Sequence, residues 1–468
     1  MSAVFGSDGH QEGNASLDGF PLSTAQRGIW FAQHLLGDVP LTIAQYLDVQ
    51  GDFDPETFAD AGAEAAREIG TGMLRLYEID GEPLQVIDDT LHDRATIIDL
   101  RGEDDPEAAA IEWIRAEWVA PLDMLRDRLI VCAVLRVAEQ RHFIYTRIHH
   151  IALDGFGAMT FSNRTAERYT AVVEGRDPKP FGVSALPDIV EDEARYRSST
   201  RFDSDRNHWA ERIRNLPHPI SLAGRGAPVG SHPVRWSAPL PDRVAEAVDR
   251  LLVEHEHTTF ATVVVAAFGA FLSRVTGERE VVLSLPVSAR TTAKLRRSGG
   301  MVSNVVPIRM TVGPDDTAAD LMRRVQLELT GALRHQRYRH EDMRRDTGYG
   351  SADRGFFGPA VNVMMFQGQV RLGDAIGKLH VLSTGPVEDL SLNIYPSDAD
   401  DPAHLDLEAN PNLYSRAELR SHHARFVEFL DGFVSTSGPV GALDVLHDDE
   451  RAELVPAHGP SARPVRLL

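Results

Sequence analysis

One residue in 468 is a cysteine, and that scarcity removes whole classes of protein. Cys132 alone forms no internal disulfide and has no partner for a thiolate zinc site. Positive charge is also short: 48 lysines and arginines against 69 aspartates and glutamates leave a formal net charge of −21. That balance argues against a general nucleic-acid binder, whose affinity needs a positive face. Long apolar runs are missing, since the most apolar stretch, residues 259–272, is too short to span a bilayer. Residues 1–20 are polar and glycine-rich, with no basic segment leading into an apolar one. No HExxH or CxxC pattern occurs, and no repeat of roughly 20–50 residues. What remains is 43% hydrophobic and 25% charged, an ordinary globular composition. The length suggests about two to three domains or lobes. The expectation is a cytoplasmic protein in a reducing compartment, with no nucleic-acid or membrane partner and no metal.

The patterning predicts alternating helices and strands in both halves, and hence an α/β fold of two similar lobes. A disordered leader is expected over 1–18 and a first lobe over 19–180. A Pro- and Gly-rich stretch, 177–187, marks a crossover placed at 181–205. A second lobe is expected over 206–450 and a linker towards a following domain over 451–468. In the first half a helix start falls at residues 21–26, a strand over 43–50, a helix over 55–68, a strand over 73–79 and a helix over 107–118. The strongest β signal is a hairpin, 128–137 and 142–150, around a short polar turn. A helix follows from about 158 to 174, with Phe161, Thr165, Tyr169 and Val172 at helical spacing. The second half opens with a helix over 203–216. An amphipathic helix over 241–255 follows, with Val244, Ala247, Val248, Leu251 and Leu252 on one face. Residues 259–274 are apolar all round and predict a helix buried on most sides. Strands are expected over 280–286, 302–312, 359–367, 378–383, 389–396 and 403–409. The last helix opens at Ser415, with Glu418 completing a capping box.

Chemistry concentrates at Ile148-His149-His150-Ile151-Ala152-Leu153-Asp154-Gly155-Phe156. Side chains alternate along a strand, so His149 and His150 face opposite sides and do different jobs. His150 shares its side with Ile144, Thr146 and Ile148. Asp154 is expected in a turn, with Gly155 supplying a conformation other residues resist. A histidine at a strand end beside a lobe junction suits proton transfer, or a hydrogen bond to a reacting amine. The plainer reading is a satisfied core histidine. Metal binding is disfavoured because adjacent strand residues diverge.

The HHxxxDG pattern formed by His149, His150, Asp154 and Gly155 resembles the core motif of nonribosomal peptide synthetase condensation domains. The resemblance covers nearly the whole chain, in family order. Leu22-Ser23-Thr24-Ala25-Gln26-Arg27-Gly28-Ile29-Trp30 is similar to the opening S-x-A-Q motif. Met73-Leu74-Arg75 is a degenerate second motif, lacking the usual preceding Arg-His-Glu. Trp209, Pro286-Val287-Ser288-Ala289-Arg290, the N-x-x-P-x-R segment running from Met301 to Arg309, His335-Gln336 and Val361-Asn362-Val363-Met364-Met365-Phe366 resemble the later motifs.

The resemblance implies two chloramphenicol-acetyltransferase-like lobes in a V-shaped pseudodimer, with the active site in a central tunnel. Donor and acceptor peptidyl carrier proteins would deliver thioesters on phosphopantetheine arms from opposite faces, no cofactor being bound by the domain itself. The acceptor α-amine attacks the donor carbonyl. His150 would assist that attack, and Gly155 would border the channel and offer its backbone N–H. Asp154 would pair with Arg290 and hold the histidine loop, with His149 structural. Ser23, Gln26, Arg75, Trp209 and Asn304 would be scaffold or channel wall. Cys132, mid-strand in an apolar run, is not expected to be catalytic, and His255 and His257 read as a solvated face. The aspartate-based motif of heterocyclisation domains and the E-G-H-G-R-type motif of epimerisation domains are absent. Asp154-Gly155-Phe156-Gly157 and the Thr384–Leu390 segment most resemble siderophore and lipopeptide synthetases. This points to an initiating domain with an aryl or fatty acyl donor. The residues from Leu446 to Arg451 resemble a linker towards an adenylation domain, and the domain is expected to be monomeric. The alternatives are a stand-alone coenzyme-A- or carrier-dependent N-acyltransferase and a non-catalytic recruiting domain.

Overall fold

Apolar residues recur along this chain at two spacings, every second residue and every third or fourth, and the elements follow them. A computed structural model describes residues 19–91, 94–255, 258–348, 357–364, 368–395, 402–446 and 450. The expected leader and final linker, His257, and the ends of the strands expected at 359–367 and 389–396 lie outside the described residues.

The first half runs β1 (Phe20–Pro21), α1 (Thr24–Leu36), β2 (Thr42–Gln50), α2 (Pro55–Ile69), β3 (Leu74–Ile79), β4 (Glu82–Ile87), β5 (Thr96–Asp99), α3 (Pro106–Trp118), β6 (Ile130–Ala138), β7 (Arg141–His149) and α4 (Gly155–Val173). The chain then continues through α5 (Leu186–Arg197), α6 (Thr200–Arg212), β8 (Val234–Pro239), α7 (Asp242–Glu254), α8 (Phe260–Thr276), β9 (Glu280–Val287), α9 (Ala293–Arg296) and β10 (Asn304–Thr311). The remaining elements are α10 (Ala318–Arg334), α11 (His340–Thr347), β11 (Ala360–Val363), β12 (Gln369–Leu372), β13 (Ala375–Ser383), β14 (Leu390–Tyr395), β15 (His404–Ala409) and α12 (Arg416–Ser435).

Two six-stranded sheets organise two lobes, with orders β12-β13-β2-β7-β6-β5 and β10-β9-β11-β14-β15-β8. A small sheet, β1-β4-β3, flanks the first. One face of the first sheet carries Ala44, Ala133, Leu135, Phe143 and Tyr145 against Ala110 and Ile114 of α3. Its other face is covered by α2 and α4. In the second lobe every residue of α8 from Thr262 to Ser273 is buried, as its all-round apolar sequence predicts. The apolar stripe of α7 buries Val244, Ala247, Val248 and Leu251. Ser415 and Glu418 form the expected capping box on α12.

Three expectations change. Strands β12 and β13 fall inside the range assigned to the second lobe, yet β13 pairs antiparallel with β2 of the first-half sheet. No local pattern distinguishes which sheet edge a strand will join, so the sequence placed them by position alone. The helix expected from 158 begins at Gly155, because Asp154 caps it by accepting a hydrogen bond from Gly157 N at 2.8 Å. Gly155 is therefore the first helical residue and its φ is not positive, so it does not supply a special turn. The range expected as crossover, 181–205, is partly helical. Residues 177–185 carry no helix or strand, and then α5 opens with Pro187 in its first turn and buries Leu186, Ile189 and Tyr196. The amphipathic α10 has no counterpart among the expected elements, although Thr317 and Asp320 form a capping box and Leu321, Met322 and Val325 recur at helical spacing.

Candidate active site

The end of β7 and the start of α4 meet the loops after β9 and β13, and all of the sequence-predicted central residues converge there. His149 and His150 do face apart. His149 is fully buried, its Nε2 bonded to Gln33 Oε1 at 3.1 Å and its Nδ1 accepting from Ile151 N at 3.1 Å. Burial pushes its pKa down to about 3, so the ring is a neutral strut. Gln33, a residue the sequence did not single out, also donates to Gly37 O and Val39 O and so fastens α1 to the loop before β2.

His150 is partly exposed at the cavity. Its backbone N donates to Leu41 O at 2.8 Å, and its Nε2 lies 3.0 Å from Thr384 O. A carbonyl only accepts, so Nε2 carries the proton and the neutral ring keeps its lone pair on Nδ1. Nδ1 has no hydrogen-bond partner among the described residues. Burial holds the His150 pKa below the usual histidine value, against the opposing pull of the Thr384 carbonyl and the Asp154 charge. The ring is thus unprotonated near neutrality and able to accept a proton.

Asp154 is 1% exposed and saturated with donors. Its Oδ1 accepts from Gly157 N at 2.8 Å and Arg290 Nη2 at 3.0 Å. Its Oδ2 accepts from Arg290 Nη1 at 2.7 Å, Val302 N at 2.9 Å and Ser303 N at 2.8 Å. Burial works to raise its pKa, but the Arg290 charge and these hydrogen bonds outweigh it and hold the carboxyl ionised. Arg290 further donates to Gly300 O at 2.9 Å and lies 4.4 Å from the Phe156 ring centroid. The pair joins the start of α4 in the first lobe to the segments on either side of residue 300 in the second. Gly157 permits that contact, since a Cβ there would stand 2.6 Å from Gly299 O.

The remaining predicted residues divide between loop and scaffold. Ser23 caps α1, while Gln26 exchanges hydrogen bonds with Gln85 and donates to Ile151 O at 3.1 Å, one residue past His150. Asn304 donates to Gln336 O at 2.9 Å and Tyr338 O at 2.7 Å and accepts from His340 N, and it lines the cavity. Trp209 is buried, its indole N–H on His335 O at 2.9 Å, and Arg75 pairs with Asp88 at 2.8 Å on the partly exposed β3. Neither lines the cavity. His255 is exposed. The Cys132 thiol is pushed up to about 11 by burial, which leaves it protonated and inert.

A cavity of about 3480 Å³ occupies the junction. Around His150 it is lined by Gly155 and Phe156 of the first lobe and by Ser288, Arg290, Ser303, Thr384 and Gly385. Among the described residues, no group of three or more His, Cys, Asp or Glu side chains could hold a metal ion.

Two α/β lobes with the neutral His150 at their shared cavity define an acyltransferase of the chloramphenicol-acetyltransferase-like class. The condensation domain family model matches residues 17–455, and the chain belongs to that family, whose members form amide bonds in nonribosomal peptide synthesis. The chain is 34% identical over 448 residues to the isonitrile lipopeptide synthase of Streptomyces coeruleorubidus, covering 95% of this chain and 30% of that protein. It is 30% identical over 453 residues to the dimodular nonribosomal peptide synthase of Bacillus subtilis, covering 96% and 19%. Enterobactin synthase component F of Escherichia coli is 29% identical over 459 residues, covering 93% and 34%. The chain thus spans about a fifth to a third of the length of these relatives. Among solved structures, a variant of the starter condensation domain of rhizomide synthetase in complex with C8-CoA superposes with a TM-score of 0.85 at 33% identity, covering 92% of this chain and 98% of that one. The first condensation domain of the calcium-dependent antibiotic synthetase, in complex with a substrate analogue, gives 0.83 at 30% identity, covering 92% and 100%.

Proposed function

We propose that this domain joins a carrier-bound donor acyl thioester to the α-amine of a carrier-bound aminoacyl thioester, as an initiating domain whose donor is an aryl or fatty acyl group. The observation that carries the catalytic part is the His150 ring, neutral, tethered at Nε2 and free at Nδ1 beside the cavity. The amine nitrogen attacks the donor carbonyl carbon, the C–N bond forms, and the C–S bond breaks to leave a thiol on the donor arm. His150 Nδ1 accepts the proton that the amine loses and passes it to the departing thiolate, which leaves as the thiol. The start of α4 supplies the backbone N–H of Gly155 and the positive end of its helix dipole towards the oxyanion. Asp154 and Arg290 hold this loop and take no part in proton transfer.

The initiating reading is supported by the branch of the cavity that lies within the first lobe, and by the acyl ligand named for the rhizomide relative. Two phosphopantetheinylated carriers and an adjacent adenylation domain are the partners this reading requires, in the cytoplasm where synthetases are assembled. No helix among the described residues is long and apolar enough to cross a membrane.

The test is amide formation between loaded donor and acceptor carriers, followed by mass spectrometry of the acceptor. His150→Ala should abolish product above the uncatalysed background. Wild-type-like turnover in that variant would overturn the catalytic assignment in favour of a recruiting domain, and faster reaction with acyl-coenzyme A than with the loaded donor carrier would favour a stand-alone acyltransferase.

A further inference from the structure

In the first lobe the layer between the six-stranded sheet and helices α2 and α4 is not filled. Its buried apolar side chains fall into two separate clusters. One surrounds Val49, Phe58, Val134 and Ala166, the other Ile43, Ala65, Ile148 and Phe161. Between them the cavity that reaches His150 is lined by Leu47, Cys132 and Ile144 from the sheet and by Gly62, Ala66 and Thr165 from the helices. Leu47 lies on β2, with strands on both sides, yet it is only partly buried. Protein interiors are close-packed, and a gap of this kind under two helices is room for something.

The gap is not uniformly apolar. Thr146 on β7 stands directly opposite Gln45 on β2 and directly opposite Cys132 on β6, so the three form one row across the sheet on the cavity side. Among the described residues the Thr146 hydroxyl reaches the Cys132 sulfur alone, at 4.0 Å. The Gln45 carboxamide has no hydrogen-bond partner among the described residues, although it sits on a central strand beneath covering helices. The Gln45 side chain is partly exposed to the cavity, so its donors and acceptor are open to whatever occupies that space. Thr146 precedes His150 by four residues, about 13 Å along the chain at strand spacing. A group held by this row is therefore well removed from the reacting carbonyl.

We propose that the row Gln45–Thr146 selects a donor acyl group bearing a hydroxyl remote from its thioester over the same chain without one. This rests on the reading that the donor lies in this branch of the cavity. The chain methylenes would run from His150 past Ile43, which pairs with Ile148 between His150 and the row, and the carboxamide would exchange hydrogen bonds with the hydroxyl.

Octanoyl, 3-hydroxyoctanoyl, 8-hydroxyoctanoyl and acetyl donors, each on a phosphopantetheinylated carrier, are compared by kcat/KM with an aminoacyl carrier that yields detectable amide. The 8-hydroxy donor should exceed octanoyl by about tenfold, and Gln45→Leu should remove that preference, as should the nearly isosteric Thr146→Val in part. Equal rates for the two donors in the wild-type protein, or a preference for the 3-hydroxy donor that Gln45→Leu leaves intact, would overturn the proposal. Gly62→Leu tests the underlying reading separately. A Cβ at Gly62 meets Thr165 Cγ2 at an ordinary 3.7 Å, so the larger side chain enters the gap without a clash at its root. The octanoyl-to-acetyl rate ratio should fall at least about tenfold in that variant. An unchanged ratio in a folded Gly62→Leu protein would place the donor elsewhere, whatever Gln45→Leu does.

Discussion

Nε2 of His150 and the carbonyl oxygen of Thr384 lie 3.0 Å apart across 234 residues of chain. This bond decides which ring nitrogen carries the proton. The Thr384 hydroxyl in turn donates to Glu408 Oε2 at 3.1 Å, a fully buried carboxylate whose pKa burial raises. Arg235 bonds to both Asp406 and Val381 O, anchoring β13 to the second lobe just before the loop that meets the histidine.

The turn at Gly385 is the weak point of that arrangement. Its φ is +120°, a region that disfavours side chains, and a Cβ there would lie 3.3 Å from His150 Nε2. Gly385→Ala should strain or displace the loop at a cost of about 1–3 kcal/mol. Condensation should slow about tenfold or more, and the melting temperature should fall by a few degrees. Turnover equal to wild type would show that the loop position does not matter to the histidine.

An NMR titration should report the protonation of His150. Its pKa lies below the ordinary histidine value, so the neutral form persists at neutral pH and is lost only in acid. The imidazole shifts of His150 in that titration should move below pH ~6.5, apart from the acidic limb that the acceptor amine itself imposes on the rate. A midpoint at or above neutrality would contradict the neutral, tethered ring.

Removing one partner of the Asp154–Arg290 pair leaves an uncompensated buried charge. Arg290→Ala should destabilise the protein by about 3–5 kcal/mol, read as a shift in urea midpoint or a loss of soluble yield. Arg290→Lys should recover part of that loss, because a point charge replaces the charge but not the two-pronged contact. Unaltered stability in Arg290→Ala would mean that the pair does not hold the lobes.

His149 should make stability depend on pH in a defined direction. Its folded pKa of about 3 lies below the unfolded value, so the unfolded chain binds the extra proton. The contribution is fully present above pH ~6.5 and is lost as pH falls towards 3, with a limiting slope of about 1.4 kcal/mol per pH unit. Urea midpoints of the wild type and His149→Gln across this window should therefore converge in acid. Parallel profiles would exclude the buried neutral histidine.

Much of the site was legible locally, because strand alternation and capping are short-range effects. Alternation alone separated His149 from His150, and the structure gives them partners on α1 and after β13. The capping box at Ser415 and the buried α8 were likewise written in a few adjacent residues. Apolar spacing points to a start near residue 158, whereas the first turn of α4 is set by the Asp154 cap.

The sequence by itself determined the elements, the separation of the two histidines and, through resemblance, the family and the residues of its motif. Tertiary structure alone decided that β13 joins the first sheet, that a backbone carbonyl at Thr384 sets the tautomer of His150, and that a gap opens beside Gln45. The reason is physical. Periodicity and caps act between neighbours a few residues apart. Sheet edges, backbone carbonyls and unfilled space carry no side-chain signature, and they exist only once distant segments have met.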